Sequence, residues 1–338
     1  MATQAYIGSS QIAHRVTGIY IGINTVAQKI CKAYIGDENG KARLCWASEP
    51  AWVPSSITNS SDMLSVTSLC YGLGTFVAVG YASSATSADA VDWTLSDDMD
   101  LLSPALNLRS VCVGSDRFVA VDYARASVAY SLDGDDWTQI TLGASHATSV
   151  CYGSGHFVAV TEDGKSCFSS DGTSWAVTTV SSDSNLNLRS VCFGNGRFVA
   201  VADDTAIAVY SDDGIQWAQS NLPQTQAWSA VCYGNGLFIA VAKNSNTAAY
   251  SLDGIVWSAC TLPIESEWSA ICYGNDKFLA VGNNSQVAVY SSDGVRWSRT
   301  KLPTAARWTT ACYGNGKFVI AATDRVSAYW PQTESSAE

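Results

Sequence analysis

Charge is scarce in this chain of 338 residues. Asp, Glu, Lys and Arg together make up 14% of it, where a soluble domain ordinarily carries about a quarter. What charge there is leans acidic: 19 Lys and Arg stand against 30 Asp and Glu, for a net charge of −11. A nucleic-acid groove needs a basic face, and an anionic membrane surface needs basic clusters, so neither is an expected partner. Histidine is almost missing. His14, His146 and His156 are scattered and form neither a catalytic triad nor a metal motif. No run of 18 apolar residues occurs, so no membrane-spanning helix is expected. No glycine-rich loop follows a strand and opens a helix, which removes the phosphate-loop enzymes. The opening Met-Ala-Thr-Gln-Ala-Tyr lacks the basic start and apolar core of a secretory signal.

What the chain has instead is repetition. Phe76, Phe118, Phe157, Phe198, Phe238, Phe278 and Phe318 recur at spacings of 42, 39, 41, 40, 40 and 40 residues. Each lies in a run of strand formers behind a tight-turn signal. A period of about 40 residues rich in short strands indicates the four-stranded blades of a propeller. The expected fold is therefore all-β: a seven-bladed β-propeller of four-stranded antiparallel blades, with a small N-terminal β-hairpin segment.

Eleven cysteines suggest a disulfide framework until their phase is examined. Cys70, Cys112, Cys151, Cys192, Cys232, Cys272 and Cys312 each precede an anchor Phe by six residues. Equivalent positions in neighbouring blades stand roughly 10 Å apart, and a disulfide needs Cα atoms closer than about 7 Å. These seven read as small apolar side chains of the innermost strand, in a protein assembled in a reducing cytoplasm. No C-x-x-C pair occurs, and neither a metal site nor a cofactor is expected.

One repeat shows how a blade is written. Strands are expected at 229–233, 237–242, 247–251 and 256–262. Asn235-Gly236 joins the first two as a tight hairpin turn, since both residues accept positive φ. The third and fourth are joined by Ser251-Leu252-Asp253-Gly254-Ile255-Val256-Trp257, and S-x-D-G-x-x-W recurs around Asp133, Asp171, Asp213 and Asp293. Around Asp89 the glycine is Ala90. This motif resembles the Asp-box, or BNR, repeat of sialidases and many other propellers. The Ser and Asp side chains staple the turn, Gly permits its backbone and Trp packs on the blade. A catalytic or calcium-binding set of aspartates is the competing reading, and their placement on successive blades disfavours it.

The seventh repeat ends without a fourth strand, and a degraded echo of the motif stands at Trp46–Trp52. A strand at about 51–58 is therefore expected to complete the last blade and close the ring, giving a propeller of residues 47–338. Ahead of it, Tyr-Ile-Gly recurs at Tyr6, Tyr20 and Tyr34, each followed by a second short strand, at 12–16, 26–30 and 42–46. Residues 1–46 read as a hairpin array too small to bury its own core, suited to attachment or oligomerisation. Together with the Tyr71–Gly80 pattern Y-G-x-G-x-F-V-A-V, this leader is similar to tail and other structural proteins of phages and prophages.

In a four-stranded meander the near-constant turns share one face and the variable loops share the other. The variable face collects 82–86, 122–125, 162–165, 203–205, 243–246, 282–285 and 323–325. It also collects 98–107, 143–146, 181–187, 223–227, 263–267 and 303–307. Loops on a rigid scaffold commonly carry recognition. Trp228, Trp268 and Trp308 stand there in equivalent positions, as stacking platforms or as packing between blades. Arg109 and Arg189 stand one place later, as ligands for acidic groups or as structural salt links.

The resemblance implies a non-enzymatic virion structural protein, assembled in a bacterial cytoplasm, that displays a propeller head for host-surface or protein recognition. Its expected partners are other virion proteins through residues 1–46, a host glycan or protein, and further copies of itself. A free glycan-binding lectin is the alternative. A sialidase-like hydrolase ranks last, because it needs an arginine cluster, a Tyr–Glu pair and an acid/base Asp in a spacing not found in the sequence.

Overall fold

The computed structural model describes residues 19–23, 26–30, 32–36, 42–47, 51–57, 65–96, 105–181 and 186–331. The expected N-terminal strand 12–16, the first Tyr-Ile-Gly and residues 48–50 lie outside them. Contacts divide the chain into two units, one of Met1–Ala51 with Thr333–Glu338 and one of Trp52–Gln332. In the first, Ile19–Ile23 pairs antiparallel with Val26–Ile30, and Lys32–Gly36 with Ala42–Ala47.

The second unit is an all-β propeller of four-stranded antiparallel blades. Where seven separate blades were expected, there are five four-stranded sheets and one seven-stranded sheet. The larger sheet arises because Ser258–Gly274 is one continuous strand. Its first part is the outer strand of one meander, Thr247↔Thr261, and its last part the inner strand of the next, Trp268↔Gly282. The expectation that the strand stops at residue 262 fails for the same reason. Pro263, which has no N–H to give a ladder, sits in a bulge, and pairing resumes at Ser245↔Ser266.

The second strand of each repeat is buried on both sides. Phe238, Ile239, Ala240, Val241 and Ala242 have no exposed surface. Each core accordingly lies between neighbours: Ala230, Cys232, Ile239 and Val241 pack with Trp268, Ile271, Phe278 and Ala280 of the next repeat. Packing of this kind makes every repeat depend on the one beside it.

The same interface joins the last repeat to the first. Ile57, Val66, Phe76 and Ala78 share one core with Cys312, Val319 and Ala321. Val53–Ser56 pairs antiparallel with Val326–Pro331 as the outer strand of the final sheet, and Trp52 stacks on Trp330 at 5.6 Å.

Every inner strand carries a β-bulge near its start. The pairing skips Thr67, Arg109, Thr148, Arg189, Ser229, Ser269 and Thr309. A bulge re-aims the side chain it carries. In five repeats that side chain is a hydroxyl spanning to the next inner strand: Thr67 Oγ1 donates to Leu108 O at 2.6 Å and Thr148 Oγ1 to Leu188 O at 2.8 Å. Ser229 and Ser269 repeat the bond to Trp268 O and Trp308 O. Thr309 Oγ1 makes it to Val66 O at 2.7 Å, across the junction of last and first repeats.

Candidate functional site

On the constant face, the S-x-D-G-x-x-W residues are consumed within their own turns. Gly254 N donates to Ser251 Oγ, Ile255 N and Val256 N both donate to Asp253 Oδ1 at 2.9 Å, and Trp257 Nε1 donates to Gly254 O at 3.2 Å. The same bonds surround Asp133, Asp171, Asp213 and Asp293. These five aspartates are turn staples, one per turn. Among the described residues no three His, Cys, Asp or Glu side chains are placed to share a metal ion.

The bonds leave a titration signature. Amides of Ser174 and Thr173 hold the Asp171 carboxyl below the usual range, those of Arg296 and Val295 do so for Asp293, and that of Val256 for Asp253. At Asp133 and Asp213 partial burial pushes upward, and the amide bonds outweigh it. The folded values lie below the unfolded value of about 4. Their stabilisation is therefore complete above that pH and is lost as pH falls through it toward the folded values. Urea midpoints are expected to be level from pH 7 to 5 and to drop below about pH 4. Replacing all five aspartates by Asn, whose amide oxygen still accepts the turn bonds, should shrink that drop; an unchanged acid limb would contradict the assignment.

The described cysteines are thiols. Burial pushes those of the inner strands, Cys70 through Cys312, well up, and raises Cys167 to about 12. Protonated thiols of this kind are poor nucleophiles and metal ligands, so the cysteine ring belongs to the packing.

Trp228, Trp268 and Trp308 must be removed from the candidate binding residues. All three have no exposed surface. Their strand phase turns them into the cores between neighbouring repeats, where Trp268 Nε1 and Trp308 Nε1 donate to Ser245 O and Ser285 O. No ring face is left for a sugar to stack on.

Arg109 and Arg189 have a different fate. They occupy the bulge position, without the hydroxyl that elsewhere reaches the next inner strand, and extend toward the loops that follow the second strands. Arg189 Nη1 pairs with Glu162 Oε1 at 2.6 Å and Nη2 with Asp203 Oδ2 at 2.9 Å. Tyr123 OH donates to Glu162 Oε2 at 2.8 Å. The Arg109 guanidinium lies over the Tyr123 ring, 5.7 Å from its centre, within cation–π range. His146 meets the edge of that ring at 5.5 Å and holds a positive φ of 58°. The result is one continuous cluster across three successive repeats.

The loop beneath it is fixed from inside. Asp122 is fully buried, accepting from Asn107 N and Ala124 N and from Ser127 Oγ. Backbone bonds from Tyr123 N to Asn107 O, Glu162 N to His146 O and Asp203 N to Asn187 O tie each loop to the start of its own repeat's inner strand, and His146 N donates to Tyr123 O at 3.1 Å between the first two repeats. Hydrogen bonding to Glu162, with partial burial, raises the Tyr123 hydroxyl above its usual value and keeps it a donor.

Sequence reasoning reached the two arginines but not Tyr123, Glu162, Asp203 or His146 as a group. The signal was present. Tyr81, Tyr123, Glu162, Asp203, Lys243, Asn283 and Thr323 each stand five residues after the anchor Phe, a position that takes acidic, basic and neutral residues in different repeats.

No protein-family model and no curated protein sequence matches the chain. Solved structures do. A virginiamycin B lyase from Staphylococcus aureus superposes with a TM-score of 0.76 at 10% identity, over 84% of this chain and 100% of that one. YCF48 bound to D1 peptide gives 0.66 at 13% identity, over 84% and 98%. The WD40 β-propeller domain of Doa1 gives 0.62 at 13% identity, over 85% and 98%. An enzyme and proteins of other kinds share the likeness, which at these identities shows the propeller fold alone.

Proposed function

We propose that this chain is a non-enzymatic virion structural protein whose seven-bladed propeller displays a recognition face. The blade count is supported by the two meanders that share Ser258–Gly274 and by the hydroxyl bond from Thr309 to Val66, which repeats the bonds between the other inner strands. The recognition half of the reading rests chiefly on one observation. The motif residues of the constant face are spent on their own turns, whereas Arg109, Tyr123, His146, Glu162, Arg189 and Asp203 converge on the face where the repeats differ. The virion half rests on the Tyr-Ile-Gly leader and the Y-G-x-G-x-F-V-A-V repeats. The leader, residues 1–46, attaches the propeller to the particle.

Purified particles from a producing culture should contain the chain in stoichiometric amount, and antibody against the propeller should decorate them and block adsorption to host cells. Particles free of the chain, or adsorption indifferent to the antibody, would refute the reading. A second reading, glycoside hydrolysis, is favoured by the hydrogen-bonded Tyr123–Glu162 pair beside Arg189 and Asp203. Turnover of aryl glycosides that is lost in Tyr123→Phe would put that reading first.

A further inference from the structure

We infer that the Arg109–Tyr123–Glu162–Arg189–Asp203 cluster binds a hydroxyl-rich polyanion, with an oxyanion on Arg109 and a hydroxyl of another unit of the same oligomer on Asp203. This rests on the recognition reading above and names the ligand chemistry of that same face.

Three independent features lead there. The bulge that carries Arg109 and Arg189 elsewhere carries a Ser or Thr hydroxyl that ties one inner strand to the next. Two repeats therefore forgo a bond that five others keep, and a departure from repeat grammar that weakens the ring needs another use. Second, the two arginines are not equivalent. Arg189 is occupied on both sides by Glu162 and Asp203, while Arg109 makes no ion pair or hydrogen bond among the described residues and is exposed over the face of Tyr123. A guanidinium over a ring face and without a protein acceptor keeps its fork of N–H donors available to take a carboxylate or phosphate bidentately. Third, Glu162 has both oxygens engaged, by Arg189 and by Tyr123, whereas Asp203 Oδ1 accepts nothing from the described residues. With Asp203 clamped through its other oxygen, Oδ1 is an immobilised acceptor suited to a hydroxyl group. An oxyanion and a hydroxyl are thus read by two groups at opposite ends of the cluster, two repeats apart, with Tyr123, Glu162 and Arg189 between them. Oligomers of carboxylated sugars and of polyol phosphates both present such groups along their length.

The test uses the full chain and three probes: an oligogalacturonide, an oligo(glycerol phosphate) and a neutral galactose oligosaccharide, each titrated by calorimetry. Binding to one or both anionic probes and not to the neutral one is expected, and which anion binds identifies the source. Arg109→Ser restores the repeat's own hydroxyl. It should weaken anion binding at least about tenfold while leaving the unfolding midpoint level or raising it by about 1–3 °C. Asp203→Asn should weaken binding with the anion contact intact, lowering the affinity of the hydroxylated probe relative to its deoxy analogue. Binding to none of the probes, equal binding to the neutral one, or an Arg109→Ser protein that binds normally and melts lower would overturn the inference. If the antibody against the propeller still blocks adsorption in that case, the recognition reading stands and only the ligand chemistry falls; if it does not, both fall.

Discussion

Deleting residues 47–57 should lower the midpoint of thermal unfolding by more than about 10 °C and broaden the transition. The segment supplies the final sheet's outer strand, with Val53–Ser56 paired to Val326–Pro331, Ser55 Oγ bonded to Ser327 Oγ at 2.8 Å and Ile57 N donating to Arg325 O at 3.1 Å. It also carries Trp52, stacked on Trp330, and Ile57, 1% exposed in the core shared by first and last repeats. Removing a buried Trp or Ile ordinarily costs about 2–5 kcal/mol each, and a large domain loses about 2–4 °C per kcal/mol. The broadening follows from topology. A closed ring couples each repeat to two neighbours, whereas an opened one has frayed ends that unfold first. Scanning calorimetry of the deletion variant against the full chain checks both effects, and an unaltered endotherm would contradict them.

The second large effect is expected from a single methyl group. Gly234 lies flat under the ring of Tyr273 in the next repeat, and an added Cβ would stand 2.0 Å from its Cγ. Gly314 repeats the contact across the junction, where a Cβ would stand 2.1 Å from Tyr71 Cγ. The tyrosines cannot retreat. Tyr71 packs on Phe76 at 4.5 Å and Tyr273 on Phe278 at 4.8 Å. Overpacking costs about 1–3 kcal/mol, and a clash this close with a ring that is itself packed belongs at the upper end, so Gly234→Ala and Gly314→Ala should destabilise alike. Gly236→Ala meets nothing within 4 Å and carries only the strain of φ +78°, about 1 kcal/mol. Gly314→Ala is the informative member, because its partner is 243 residues away in sequence and adjacent only if the last repeat meets the first. Urea unfolding of the three variants gives the comparison; a Gly314→Ala protein as stable as the parent would show that the junction is open.

Much of this architecture is legible in the residues. The spacing of the anchor phenylalanines gives the repeat, Asn235-Gly236 gives the hairpin turn, observed with positive φ at both positions, and Asp253-Gly254 gives the stapled turn. These are local signals, fixed by backbone chemistry within a few residues. The last repeat's missing outer strand directs attention to the segment before Val66, and Val53–Ser56 fills that place. What the sequence conceals is long-range. The bulge beside Leu108 and Leu188 has no signature of its own, so the parity of Arg109 and Arg189 cannot be counted along the strand. Trp228, Trp268 and Trp308 read in sequence as packing between blades or as exposed platforms, and their burial is supplied by neighbouring repeats. The cluster itself joins residues of three repeats, from Arg109 to Asp203, through side chains whose reach no spacing reveals.

Hydrogen exchange followed by mass spectrometry tests closure of the ring most directly, on the unmodified chain. Peptides covering residues 53–57 should exchange as slowly as those covering 317–331, since both belong to one sheet and one core. Complete exchange of 53–57 within seconds, beside slow exchange at 317–331, would mean that the outer strand is not held there and that the ring stands open.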